Sequence, residues 1–277
     1  MIDYHDDSNP LYAINGNKHL KDTRILEVGA NYTHDLKAQQ RLGVAVQWSR
    51  RYNDVAMMTT FDRNTGRTTA TPQNVNGNWT IASNIHFTTP VLKKQKMLLS
   101  FALQPSYQNS VDLASEMGQA HPASIVRSLG ADGQCKADWN PSEHAQLSLL
   151  ANARYRHITG DRPDFATINA ADFDYGFSAI VDLPLSLQLS TSLVAYAHRG
   201  YEAPEMNTTQ CIWNAELSRK LCRGQLLLAI KAFDILGQLK NQSFHVDAQG
   251  RTETWHNAIP RYAMISLAWR FNANPKR

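Results

Sequence analysis

Hydrophobic and polar residues alternate along most of the chain. From Arg261 onward, Ala263, Ile265, Leu267, Trp269 and Phe271 fall on one side, and Tyr262, Met264, Ser266, Ala268 and Arg270 on the other. A period of two is the signature of a strand, because successive side chains point to opposite faces of a sheet. The same split separates Leu185, Leu187, Leu189 and Leu193 from Ser186, Gln188, Ser190 and Ser192, and Leu147, Leu149, Ala151, Ala153 and Tyr155 from Gln146, Ser148, Asn152, Arg154 and Arg156. Helical spacing is sustained almost nowhere. The pattern predicts about eleven strands, over 24–36, 41–52, 76–91, 95–110, 122–139, 144–158, 170–182, 185–200, 208–220, 225–240 and 256–271. The expected fold is all-β, an antiparallel up-and-down meander.

The connections add a direction. Those after odd-numbered strands are short: Lys37-Ala-Gln-Gln40, Val91-Leu-Lys-Lys94, Asn140-Pro-Ser-Glu143, Asp182-Leu-Pro184 and Leu221-Cys-Arg-Gly224. Those after even-numbered strands are long and polar, such as Tyr52 to Val75, Ser110 to His121, Thr159 to Asn169 and Asn241 to Trp255. Short turns at one end and long loops at the other are what a transmembrane β-barrel shows, with short periplasmic turns and long extracellular loops. Aromatic residues gather near the predicted strand ends (Trp48, Trp79, Tyr107, Trp139, Tyr155, Phe173, Tyr175, Trp213, Trp269 and Phe271), as interfacial girdles require. A soluble β-sandwich would alternate in the same way, and stays open at this point as a binding-module alternative.

Composition narrows the classes. A chain of 277 residues, 43% hydrophobic and 19% charged, can fold, which sets global disorder aside. Basic and acidic residues are 28 and 24, scattered without like-charged blocks, so no nucleic-acid partner is expected. Leu226-Leu-Leu-Ala-Ile230 and the Ser-broken run from Leu183 to Ala197 are too short for a spanning helix. The N-terminal Met1-Ile-Asp-Tyr-His-Asp-Asp7 has no apolar signal region.

Candidate chemistry is sparse. No Gly-x-Ser-x-Gly, His-Glu-x-x-His, Walker A or Gly-x-Gly-x-x-Gly motif is present, so the expectation is a non-enzyme with no catalytic, cofactor-binding or metal-binding residues and no cofactor. Cys135, Cys211 and Cys222 stand outside any Cys-x-x-Cys spacing and read as structural thiols. His86, His157 and His198 fall on polar-face or loop positions. An acid–base pair of His198 with Asp174 or Asp182 is disfavoured, since Asp182 belongs at a short turn and His198 near the opposite end. The polar face carries both signs of charge in Asp132, Lys136, Asp138, Arg154, Arg156, Asp174, Glu216, Lys220 and Lys231. Tyr201, Phe244 and Trp255 sit in loops, where they either meet an external ligand or pack the loops; the ligand-binding residues are unknown.

Three C-terminal segments carry a family likeness: Trp213-Asn-Ala-Glu-Leu-Ser-Arg-Lys-Leu221, Gly224-Gln-Leu-Leu-Leu-Ala-Ile-Lys-Ala-Phe-Asp-Ile-Leu-Gly-Gln238 and Pro260-Arg-Tyr-Ala-Met-Ile-Ser-Leu-Ala-Trp-Arg-Phe271. They resemble the last three strands of TonB-dependent outer-membrane receptors of the outer-membrane β-barrel protein branch. Asn9-Pro-Leu-Tyr12 with Gly16-Asn-Lys-His-Leu-Lys-Asp22 is similar to a segment midway through such barrels, with Lys18 where the family pattern often has Pro. The resemblance implies that the chain is half of a 22-stranded transmembrane β-barrel: 1–23 an extracellular loop segment, 24–271 the partial barrel, 272–277 a tail. It implies a place in the cell outer membrane and a role in receptor-mediated transport of a scarce solute. The implied partners are outer-membrane lipid, the missing N-terminal half of the barrel, a plug domain and, through that plug, a TonB-type energy-coupling complex. An isolated chain of this kind would be a fragment without transport activity of its own. A passive outer-membrane pore or adhesin is the other membrane alternative.

Overall fold

A computed structural model of the chain describes residues 5–36, 40–92, 96–113, 115–116, 123–162, 165–240, 242–247, 250–255 and 259–271. Within them lie the strands β1 (His5–Asn9), β2 (Tyr12–Asn15), β3 (Arg24–Asp35), β4 (Arg41–Tyr52), β5 (Asp54–Asp62), β6 (Arg67–Val75), β7 (Trp79–Val91), β8 (Met97–Asp112), β9 (Ser115–Glu116) and β10 (Ser124–Ser142). They continue with β11 (Ala145–Gly160), β12 (Ile168–Leu183), β13 (Leu187–Arg199), β14 (Thr209–Leu221), β15 (Leu226–Phe233), β16 (Gln242–Asp247), β17 (Gly250–Trp255) and β18 (Tyr262–Trp269). The expected tail 272–277, parts of the connections and the side chains of Phe244 and Trp255 lie outside what is described.

Eleven strands form one antiparallel sheet in chain order: β3, β4, β7, β8, β10, β11, β12, β13, β14, β15 and β18. Each overlaps one of the eleven predicted segments, with β15 and β18 shorter than expected. Every neighbouring pair is antiparallel, so the two outermost strands, β3 and β18, run in the same direction. Each has a single neighbour in the sheet.

The segment 1–23, expected as loop, contains the pair β1–β2, and the connection 241–255, expected as loop, contains the hairpin β16–β17; two further differences from the sequence reading have local causes. The connection 52–75, expected as loop, contains the hairpin β5–β6, which joins β1, β2 and β9 in a second, five-stranded sheet. Its turn is fastened by Asp62, whose carboxylate accepts from the Asn64 N–H at 2.9 Å and the Thr65 hydroxyl at 2.7 Å, with Gly66 at φ +68°. The β-branched and apolar residues on either side, Val55 to Phe61 and Thr68 to Thr71, are ordinary strand formers. The second difference is that β15 stops at Phe233 instead of running to 240. Asp234 turns the chain with φ +45° and is 2% exposed; its carboxylate accepts from the N–H groups of Gln238 at 3.1 Å and Leu239 at 2.8 Å. The Asp-Ile-Leu-Gly-Gln segment is therefore a turn closed on a buried carboxylate.

The large sheet is a single layer. Its extensive contacts are with lateral neighbours, and its apolar side chains stay open: Leu149 is 60% exposed, Ile265 75% and Leu267 69%. Among the described residues the buried hydrophobic set is small, mostly Ala, and the largest side chain below 2% exposure is the charged Asp234. A β-sandwich places its apolar faces against each other; among the described residues no second sheet covers this one.

Candidate functional site

The register sorts side chains to two faces, because residues directly opposite across an antiparallel pair point the same way. One apolar row is continuous from Trp139 through Leu147, Ala179, Thr191, Ala215 and Ala232 to Ala263. On the opposite face a polar row runs Gln104, Asp132, Arg154, Asp172, His198. A neighbouring row runs His86, Ala102, Gln134, Asn152, Asp174, Tyr196, Gln210. All nine charged residues assigned to the polar face by alternation share its parity.

Six of the nine are arranged in ion pairs. Lys136 Nζ lies 2.9 Å from Asp138, which also accepts from the Ser148 hydroxyl at 2.6 Å. Lys231 meets Glu216 at 3.0 Å across β14 and β15. Arg154 donates to both oxygens of Asp174, at 3.3 and 3.0 Å. Arg156 stands opposite Gly130 and Ala170, small residues that leave room around its guanidinium. His86 lies over Gly43, where any Cβ would overlap the imidazole ring. Clefts of about 490 Å³ and about 230 Å³ open on this face; Asp132 and Gln104 line both, and Arg154 and Asp174 line the second.

The partner of His198 is neither Asp174 nor Asp182. It is Asp172, whose Oδ1 lies 2.6 Å from His198 Nδ1. Asp174 stands opposite Tyr196, and Asp182 accepts from Gln188 at the short turn. The signal was available: the turn pairs Leu183 with Leu187, and counting back along both strands brings His198 to Asp172. Tyr201, one of the loop aromatics, folds onto the same group, its hydroxyl donating to the two Asp172 oxygens at 2.9 and 3.0 Å. Reciprocal bonds between Tyr201 and Asn207 and the burial of Met206 hold the rest of this loop. Since the tyrosine bonds to the carboxylate and not to the imidazole, the trio works as a latch, lacking the nucleophile–base contact of a hydrolytic site. His157 sits at the long-loop end, 2.7 Å from Asn169. Among the described residues no group of three or more His, Cys, Asp or Glu is placed to hold a metal ion. No described helix is long and apolar enough to cross a membrane.

The latch has a pH signature. Burial first, then the Asp172 charge and the hydrogen bond to it, push the Tyr201 phenol up to about 12. Only the neutral phenol donates, so its contribution is intact below the ordinary tyrosine value of about 10 and is lost as pH rises from there through about 12. A phenolate absorbance titration of wild type minus Tyr201→Phe is expected to isolate one tyrosine ionising about two units late. A difference curve centred near 10 would remove the latch.

No protein-family model matches the chain, and no curated protein or solved structure is significantly similar to it.

Proposed function

We propose that the eleven-stranded sheet is the wall of an outer-membrane β-barrel, its apolar face toward lipid and its polar face lining the passage. More narrowly, we propose that it is the second half of the 22-stranded barrel of a TonB-dependent receptor for a scarce extracellular solute. The observation that carries the barrel reading is the stagger of the aromatic residues. Trp139 on β10 is in register with Ala263 on β18, whereas the turn-end Trp269 lies six residues further along β18, across six strand spacings. With strands roughly 4.8 Å apart and a rise of roughly 3.3 Å per residue, a girdle stepping one residue per strand corresponds to strands tilted by about 35°. That is the tilt of outer-membrane barrels.

The height agrees as well. On β8 the loop-end Tyr107 and the turn-end Met97, paired with Trp139, are ten residues apart. Ten residues span roughly 33 Å along the strand, or about 27 Å of height at such a tilt, close to the roughly 25 Å of an outer-membrane apolar band. Between these rows the face carries Leu99, Phe101, Leu103 and Pro105 on β8, Leu149, Ala151 and Ala153 on β11, and no charged side chain on either strand.

Strand direction supports the half-barrel. Because β3 and β18 run the same way, antiparallel closure needs an odd number of further strands whose outer members run opposite to both. Eleven more would complete 22. A second copy in the same membrane orientation would meet these edges with parallel strands, a less favourable seam. The receptor assignment rests on the resemblance of 213–221, 224–238 and 260–271, and the solute is left open. In this reading the mixed charges of the polar face line the passage and meet a plug, and the long loops face the external medium.

Two native cysteines and one introduced cysteine, in a Cys211→Ala background, make the test. Cys135 lies on the apolar face and Cys222 in a short turn, and both are exposed. With an impermeant maleimide on intact cells, Asn64→Cys at the tip of β5–β6 is expected to react, and Cys222 only after the outer membrane is permeabilised. Cys135 is expected to stay unreactive throughout, since hydrocarbon disfavours the thiolate. The labelled species, detected with an antibody to 241–258, is expected in the outer-membrane fraction at a mass well above 31.1 kDa. Equal labelling of all three sites in a soluble 31.1 kDa species would discard the barrel and favour the soluble module. A membrane-embedded species of only 31.1 kDa would keep the wall and discard the half-receptor.

A further inference from the structure

The apolar face is not uniformly bulky. At mid-height it carries a furrow of about 650 Å³, floored on β10 and β11 by Gly133, Cys135, Ala151 and Ala153 and banked by Phe101 on β8 and Tyr175 on β12. The floor continues through Ala131 and Ala137, so the small residues extend for roughly 20 Å along β10. We infer that this furrow seats one acyl chain of a membrane lipid, held as a resident and not exchanging freely with the surrounding bilayer. The inference rests on the barrel reading above, which puts the furrow at hydrocarbon depth, midway between the Tyr107 and Trp139 rows.

Shape selects the occupant. The flanking strands are three spacings apart, roughly 14 Å between backbones, and their aromatic side chains narrow the opening further. A helix with its side chains is about 10–12 Å across and would ride on the banks without reaching the floor. A flexible hydrocarbon chain lying along the strands touches the furrow on three sides. Against a smooth wall it would touch one. Dispersion contact grows with the number of atoms in reach, so a chain in the furrow outlasts one on the open wall. The lining is apolar and asks for no headgroup chemistry.

Native mass spectrometry of the protein purified from its own membrane, re-equilibrated with palmitoyl-oleoyl-phosphatidylethanolamine vesicles, tests this. Wild type is expected to keep one phosphatidylethanolamine after detergent release. Gly133→Leu combined with Ala153→Leu fills the furrow; a Cβ at 133 would meet only the Ala153 carbonyl oxygen, at 3.8 Å, so the backbone accommodates the first change. Retention is expected to fall about tenfold, the loss that removing contact along several methylenes implies. Phe101→Ala takes away one bank without crowding the strands, and serves if the filled variant does not insert. Leu217→Phe, on the same face on β14 and away from the furrow, is expected to retain lipid like wild type. Heat-modifiable gel migration reports the barrel separately. A heat-modifiable wild type that keeps no more lipid than the filled or Phe101→Ala variant overturns the furrow and leaves the barrel standing. Retention of a helical polypeptide in place of lipid also overturns it. Failure of the wild type to enter the membrane ends both readings.

Discussion

Leu149→Arg is expected to cost about 1–3 kcal/mol and to deplete the folded, membrane-embedded form roughly five- to 150-fold, as a cation does on a lipid-facing strand between the turn-end interface and the midplane. Leu149 is 60% exposed and points outward from β11, between Ala137 on β10 and Phe177 on β12. In water, an exposed leucine replaced by arginine would change stability by less than about 0.5 kcal/mol, because neither side chain is packed and the charge stays hydrated. The same residue thus gives a small or a large effect depending on its solvent. Asn152→Arg, three residues along on the polar face, is the matched control and is expected to stay within about 0.5 kcal/mol. Guanidinium titrations of the vesicle-bound protein compare the two. Equal and small effects would remove lipid from the apolar face.

The second large effect is expected at Asp234. Its carboxylate is almost completely buried, accepts from the Gln238 and Leu239 N–H groups, and stands at the point where β15 ends. Asp234→Ala leaves two backbone donors without their acceptor and should cost about 3 kcal/mol, the range for buried hydrogen bonds to a charged group. Asp234→Asn keeps one acceptor oxygen but turns an amide toward the other N–H, and an intermediate loss of about 1–2 kcal/mol is expected. Both are read from the unfolding midpoint. The turn also ties Gln238 to the Cys211 N–H at 2.8 Å, so its loss should loosen the loop end of β14 as well. An asparagine variant as stable as wild type would mean that chain geometry organises the turn without the charge.

Much of the architecture was legible because two simple constraints act along the chain. Period-two alternation located eleven strands, and the alternation of short and long connections gave their directions. A one-residue slip would move a whole strand's apolar set to the other face, so alternation excludes odd slips and leaves slips of two residues open. The errors came where a polar side chain satisfies the backbone at a distance. Asp234 looks like any strand residue between Phe233 and Ile235 until the N–H groups of 238 and 239 reach its carboxylate. Asp62 closes the β5–β6 turn by a similar device inside a stretch whose polarity suggested a loop.

The charged groups show the same division. Alternation correctly sent Asp132, Lys136, Asp138, Arg154, Arg156, Asp174, Glu216, Lys220 and Lys231 to one face, and that depended only on local parity. It did not tell which of them would meet, because contact across strands depends on register. Hence His198 was weighed against Asp174 and Asp182, while the pairing that starts at Leu183 and Leu187 delivers Asp172.

The amino-acid order alone determined the strand class, the eleven strands of the large sheet, the two unlike faces and the same-direction edges. Each follows from nearest-neighbour geometry repeated along an extended chain. Only the tertiary structure decided the Asp172–His198–Tyr201 latch, the small sheet at the loop end, the buried Asp234 and the one-residue-per-strand stagger of the aromatic rows. Those depend on residues far apart in sequence arriving at hydrogen-bonding distance, which is a property of the registered sheet and not of any segment within it.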